Sequence, residues 1–219
     1  VTTGIANTLI GTQAGDAITD ADYNVAVGNS ALSTNQLGSK SIAIGHSALF
    51  TQNPTTATDM FNVGVGHAAG ISVTTGLNNT LVGGLAGDAI TTGNLNTYIG
   101  SNAGSAATDV DNNTAVGAFA FDAGTGANNT AVGSGALGGS SNSAADNVAV
   151  GRDAGNSIST GDQNVLIGGL AGDALTVGQK NVALGRSALT TDTKGSKSTA
   201  IGYSALDSQN FTTATDSHN

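Results

Sequence analysis

The chain has 219 residues and a formal net charge of −9, with 15 acidic and six basic side chains. Charged residues make up only 10% of it, Gly fills 33 positions, Pro one, and Cys none. That balance argues against nucleic acid and anionic membrane surfaces as partners, since both are gripped through Lys and Arg, and the lack of Cys excludes disulfides and thiolate metal sites.

A disordered chain of this length would carry more charge and fewer β-branched aliphatics. An ordinary globular core would need more than three Tyr, five Phe and no Trp. No apolar run is long enough to span a bilayer, so no membrane insertion is expected of this segment. The chain opens at Val1 without an initiator Met or a signal peptide and reads as an excerpt of a longer polypeptide.

From the N-terminus, a five-residue phrase, Asn-(Thr/Val)-(small or apolar)-(Val/Ile)-Gly, begins at Asn7. It returns at Asn24, Ser41, Asn62, Asn79, Asn96, Asn113, Asn129, Asn147, Asn164, Asn181 and Ser198. The intervals are 17, 17, 21, 17, 17, 17, 16, 18, 17, 17 and 17 residues. Each phrase predicts a short strand broken by its Gly. A second phrase, such as Leu85-Ala86-Gly87-Asp88-Ala89-Ile90 or Ser187-Ala188-Leu189, predicts a second short strand. A polar stretch such as Thr91-Thr92-Gly93-Asn94 predicts the loop into the next unit.

Seventeen residues are too few for a propeller blade or a helical repeat. They fit one turn of a solenoid whose strands pair in register with the turns above and below. The predicted fold class is all-β, a parallel β-solenoid of about twelve 17-residue coils. It runs through residues 1–219 as a single repetitive rod segment. A longer period overlies the short one. Residues 7–62 align without gaps onto 164–219, with 35 of 56 identical. A super-repeat of about 157 residues therefore covers 7–163 and restarts at 164–219.

Counting positions from the Asn, alternation along a strand puts positions two and four on one face and position three on the other. Positions two and four, as in Val25 and Val27 or Ile42 and Ile44, are expected inside the coil. Position three is mostly Ala, with Leu9, Leu81, Leu166, Tyr98 and Gly64 as exceptions, and is expected outside. A strand apolar on both faces is buried on both. Two or three large aliphatics per coil, worth about 1.5–3 kcal/mol each, fall short of the ordering cost of about 1.5 kcal/mol per residue. A homo-oligomer, with a trimer favoured, is therefore expected, with position three at the shared interface.

The recurring Asn is expected at a corner, accepting left-handed backbone angles and bonding neighbouring amides in a ladder. Gly64-Val65-Gly66-His67-Ala68-Ala69 matches a dinucleotide fingerprint on paper but lacks a βαβ context, and the repeat accounts for its glycines. His46 and His67 both follow the repeat's Gly and are expected side by side as a surface pair. Asp20-Ala21-Asp22 and Asp109-Val110-Asp111 could offer oxygens to calcium, but solvated corners are the favoured reading. No catalytic, cofactor-binding or metal-binding residue is assigned, no cofactor is expected, and the chain is read as not an enzyme.

Asn24-Val25-Ala26-Val27-Gly28-Asn29-Ser30-Ala31 and Ser198-Thr199-Ala200-Ile201-Gly202-Tyr203-Ser204-Ala205 resemble the head repeats of trimeric autotransporter adhesins. They are also similar to repeats in phage tail fibres and large bacterial surface proteins. The resemblance covers residues 7–206 and implies a left-handed β-roll assembled as a trimer. The adhesin repeat is usually shorter, near fourteen or fifteen residues, which leans this chain towards the fibre and surface-protein relatives. The expected function is a structural shaft of an extracellular fibre, on a cell surface or virion, supporting attachment to a host or surface. The alternative is direct receptor or glycan binding through the variable loops, above all the long segments Phe50–Asp59 and Asp207–Asp216. Ice binding by Thr8, Thr80, Thr97, Thr114, Thr130 and Thr199 is set aside, because Val or Ile interrupts that column and the slot is placed inside.

Overall fold

The computed structural model describes residues 2–139 and 142–219. They form two compact units, Val1–Asp111 and Asn112–Asn219. The described residues contain strands and turns but no helix.

The first unit holds β1 (Thr8–Ile10), β2 (Val25–Val27), β3 (Gly38–Ser39), β4 (Ile42–Ile44), β5 (Thr58–Asp59), β6 (Val63–Val65), β7 (Thr80–Val82) and β8 (Thr97–Ile99). Its main sheet runs β1-β2-β4-β6-β7-β8, every pair parallel and in coil register, so that Thr8 faces Val25 and Val25 faces Ile42. The second unit holds β9 (Thr114–Val116), β10 (Thr130–Val132), β11 (Val148–Val150), β12 (Val165–Ile167), β13 (Val182–Leu184), β14 (Gly195–Ser196), β15 (Thr199–Ile201) and β16 (Thr215–Asp216). Its main sheet runs β9-β10-β11-β12-β13-β15, again parallel throughout. Each repeat is one coil of a parallel β-solenoid, as its spacing predicts. The five-residue phrase yields a three-residue strand, and the expected second strand is instead a run of turns, as at 84–89.

The faces are the reverse of the expectation. Position three points inward: Ala26, Ala43, Leu81 and Tyr98 are all 0% exposed. Positions two and four point outward, with Ile42 38% and Ile44 40% exposed on either side of Ala43. The reason is volume. The coil interior also holds an invariant Ala at position eight and a larger side chain at position nine or twelve, which leaves a narrow slot under the strand.

Two coil types solve that packing problem. In one, position nine is Gly and position twelve an aliphatic: Gly15 with Ile18, Gly70 with Val73, Gly87 with Ile90, Gly155 with Ile158, Gly172 with Leu175. In the other, position nine is Leu or Phe, as in Leu32, Leu49, Phe121, Leu137 and Leu189, and position three is then always Ala. A Cβ on Gly70 would lie 2.6 Å from Leu81 Cδ1 and 2.8 Å from Leu49 Cδ2, so the two types interlock between coils. Close packing of this kind tolerates no added methyl group.

The glycines that close the phrase form columns. Gly28 has φ +135°, and a Cβ there would stand 2.6 Å from the carbonyl oxygen of Gly45. Gly45 stands in the same relation to Gly66, and Gly185 to Gly202. Gly28→Ala adds both a forbidden backbone angle and a clash between coils. It is expected to cost on the order of 3 kcal/mol, while Gly84→Ala, with nothing within 4 Å of the added Cβ, costs about 0.5 kcal/mol or less. Chemical denaturation of the two variants beside the parent checks this.

Candidate functional site

Three surfaces of the coil carry chemistry: the corner before each strand, the outward face of the sheet, and the edge just past the glycine column.

At the corner, the recurring Asn is buried in nearly every coil. Its Oδ1 accepts the backbone N–H of the next coil's equivalent residue, from Asn24 to Asn7 at 2.9 Å, Asn79 to Asn62 at 2.9 Å and Asn96 to Asn79 at 3.0 Å. Its Nδ2 donates to a carbonyl that ends its own coil, from Asn62 to Gly76 at 2.7 Å and from Asn79 to Gly93 at 2.8 Å. The second unit repeats both bonds, for example Asn181 N to Asn164 Oδ1 at 3.0 Å and Asn181 Nδ2 to Gly195 O at 2.9 Å. The ladder is as expected, but the left-handed angle is not on the Asn. It falls one residue earlier, on Tyr23 (φ 57°), Lys40 (φ 60°), Phe61 (φ 51°) and Leu95 (φ 59°).

Ser41 and Ser198 break the Asn series for a physical reason. Their coils carry Gln52 and Gln209 at position twelve, and these long amides reach back into the gap. Gln52 Nε2 donates to Ser41 Oγ at 3.1 Å, and Gln52 Oε1 accepts from Asn62 Nδ2 at 3.0 Å. Gln209 Nε2 donates to Ser198 Oγ at 2.9 Å and to Asp192 Oδ2 at 2.7 Å. The extra residues of these coils form β5 and β16, which pair with β3 and β14, and Lys40 and Lys197 bind Asp59 and Asp216 in matching ion pairs. The third and twelfth coils thus share a second strand pairing and an ion pair as well as their sequence.

The acidic corners are engaged by the coils themselves. Asp22 Oδ1 accepts the Ile5 N–H at 2.7 Å, and Asp20 Oδ1 accepts the Thr3 hydroxyl at 2.8 Å. Asp109 accepts the hydroxyls of Thr91 and Thr92, and these two bonds, that of Thr91 foremost, hold its carboxyl below the ordinary 3.8. Lys197 lowers Asp216 in the same sense. An open groove of about 550 Å³ lies under the long loop of the third coil, lined by Asp20, Asp22, Ser39, Ala57, Thr58 and Asp59. Its carboxylates are the ones already bonded to Thr3, Ile5 and Lys40.

The outward face carries two columns in each unit. In the first, position two is Thr8, Val25, Ile42, Val63, Thr80 and Thr97, and position four is Ile10, Val27, Ile44, Val65, Val82 and Ile99. The Thr side chains of this column face out, contrary to the expected inward placement, and the interruptions by Val and Ile count against an ice-binding array. Position four is aliphatic in every coil, which makes a continuous apolar column on the outward face of each unit.

At the edge past the glycines, His46 and His67 meet as expected, their rings stacked with centroids 5.3 Å apart and planes 7° from parallel. In the second unit the same position holds Arg152, Arg186 and Tyr203, with the Arg186 guanidinium 5.8 Å from the Tyr203 ring centroid. The fingerprint-like Gly64 and Gly66 are packing residues: a Cβ on Gly64 would meet Leu49 Cγ at 2.8 Å, and one on Gly66 would meet Gly83 O at 2.4 Å. No group of three or more His, Cys, Asp or Glu able to hold a metal occurs among the described residues. Comparison of the chain with family models, curated proteins and solved structures finds no match.

Replacing Asn79 by Ala strands two backbone groups in a buried corner, the Asn96 N–H and the Gly93 carbonyl. Each unsatisfied group costs about 1–3 kcal/mol, so Asn79→Ala is expected to lose several times more stability than Asn29→Ala, which lies on the exposed edge. Parallel urea titrations of the two variants give the comparison.

Proposed function

We propose that this chain is a non-enzymatic structural element, the shaft of an extracellular fibre of the bacterial surface-adhesin or phage tail-fibre kind. It self-associates, as a trimer, through the outward face of its β-ladder. The observation that carries this reading is the pair of outward columns at positions two and four. Ile10 is 59%, Ile99 39% and Ile201 65% exposed, and each has an aliphatic or Thr neighbour on the adjoining rung. A long apolar ladder left in water is an aggregation hazard, and natural proteins cover such surfaces. A second and third copy offer the same flat, regular, uncharged surface at the same spacing, so rung can pack on rung along the length of each unit.

The rest of the molecule suits a spacer. Buried Asn and Gln side chains satisfy the corners, the rest of the described interior is mostly small and aliphatic, with Tyr98 and Phe121 as its large aromatics, and carboxylates such as Asp22 and Asp111 serve as corner acceptors. The likeness of the phrase to adhesin-head and tail-fibre repeats supports an extracellular setting and the left-handed β-roll form. Position three lies inside the coil, so the proposed shared surface lies at positions two and four rather than at position three.

Native mass spectrometry and sedimentation test this. The parent chain is expected to travel as a trimer at micromolar concentration. The double variant Ile44→Lys, Val65→Lys puts two cations on the outward face without touching the coil interior, and is expected to travel as a single chain with an unchanged far-UV spectrum. A parent that remains a folded monomer at these concentrations contradicts the proposal.

A further inference from the structure

The geometry points to a second, local function: His46 and His67 form a two-imidazole site for a borderline divalent transition-metal ion such as Cu²⁺, Ni²⁺ or Zn²⁺. The two residues occupy the same position of consecutive coils, two residues beyond the paired Ile44 and Val65. Their backbones are fixed by the stack, since Ala68 N donates to His46 O at 2.9 Å and Leu85 N donates to His67 O at 2.9 Å. Both side chains are exposed, and their rings lie face to face at 5.3 Å.

Imidazole is a preferred ligand of these metals. Metal–nitrogen bonds of about 2.0–2.1 Å let two ligand nitrogens stand up to about 4 Å apart. Rungs spaced by about 4.8 Å bring paired side chains into that range once each exposed ring turns out of the stack so that its in-plane nitrogen lone pair faces the ion. The stack holds the two backbones, so only side-chain torsions remain to be ordered on binding. The flanking coils place Asn29 and Gly84 at the same position, and Ser47 and Ala68 follow the two histidines, so nothing bulky or cationic crowds the rings. Two protein nitrogens leave the remaining coordination positions to water or to a ligand from another molecule. The site is particular to this place in the chain, because the residue 157 positions after His46 is Tyr203.

The test uses the full chain titrated with Cu²⁺, followed by calorimetry and by electron paramagnetic resonance. One ion per chain with two equivalent nitrogen ligands is expected. His46→Ala and His67→Ala are each expected to weaken binding by about tenfold or more, since even outer-shell partners of a metal ligand are worth that much. His218→Gln, which alters the remaining histidine beside Asp216, should leave binding unchanged. Circular dichroism confirms that the variants remain folded. Binding that survives both His46→Ala and His67→Ala, binding abolished by His218→Gln instead, or no binding of Cu²⁺ by the folded parent would each overturn the assignment.

Discussion

The structure depends on one buried amide per coil. A chain that turns a corner every few residues exposes backbone donors and acceptors where no sheet can satisfy them, and burying them unpaired is costly. The Asn at position one answers both needs at once. Its oxygen takes the N–H of the next coil, and its nitrogen closes the carbonyl of its own, as Asn24, Asn62, Asn79, Asn164 and Asn181 illustrate. The distance between these groups fixes coil to coil, so the register is set at the corner and the strand inherits it. Where the corner is Ser, Gln52 or Gln209 supplies the missing amide from the far side of the coil.

The glycine columns follow from that stacking. With corner bonds drawing successive coils to strand spacing, the backbone past each strand runs into its neighbour unless it has no Cβ, as at Gly28, Gly45 and Gly66. The same closeness limits the interior. Leu32, Leu49 and Leu189 enter from position nine only where position three is Ala, and Leu81 or Tyr98 enter from position three only where position nine is Gly. Once small side chains fill the inside, the larger β-branched ones must go outside. The apolar outward face is therefore a consequence of a thin coil, and it is the surface on which the proposed self-association rests.

Much of this was legible in the sequence. Seventeen-residue spacing, the position of Gly28 or Gly185 and the neighbouring of His46 with His67 all follow from a period that repeats with little drift. What alternation could not settle is which side of a three-residue strand faces in, because both sides of Val25-Ala26-Val27 are apolar. The missing signal was the volume exchange between positions three, nine and twelve: Leu81 with Gly87, Ala183 with Leu189. Residues that trade size share a space. The left-handed corners at Tyr23, Phe61 and Leu95 were hidden for another reason. Such residues seldom adopt that angle, at a cost of about 1–2 kcal/mol each, and only the hydrogen bonds of the adjacent coil hold them there, as Leu95 N donates to Leu77 O at 2.9 Å.

The central claim is that each repeat adds one rung, and pulsed electron paramagnetic resonance measures it directly. The chain has no Cys, so spin labels can be placed at chosen pairs on the exposed edge of the first unit, with labelled chain diluted in unlabelled chain. Thr12→Cys paired with Gly84→Cys spans four rungs, about 19 Å, and Thr12→Cys paired with Ser101→Cys spans five, about 24 Å. A difference of about 5 Å between the two pairs is the expected result. Equal distances, or distances that ignore the number of intervening coils, would contradict the stacked ladder.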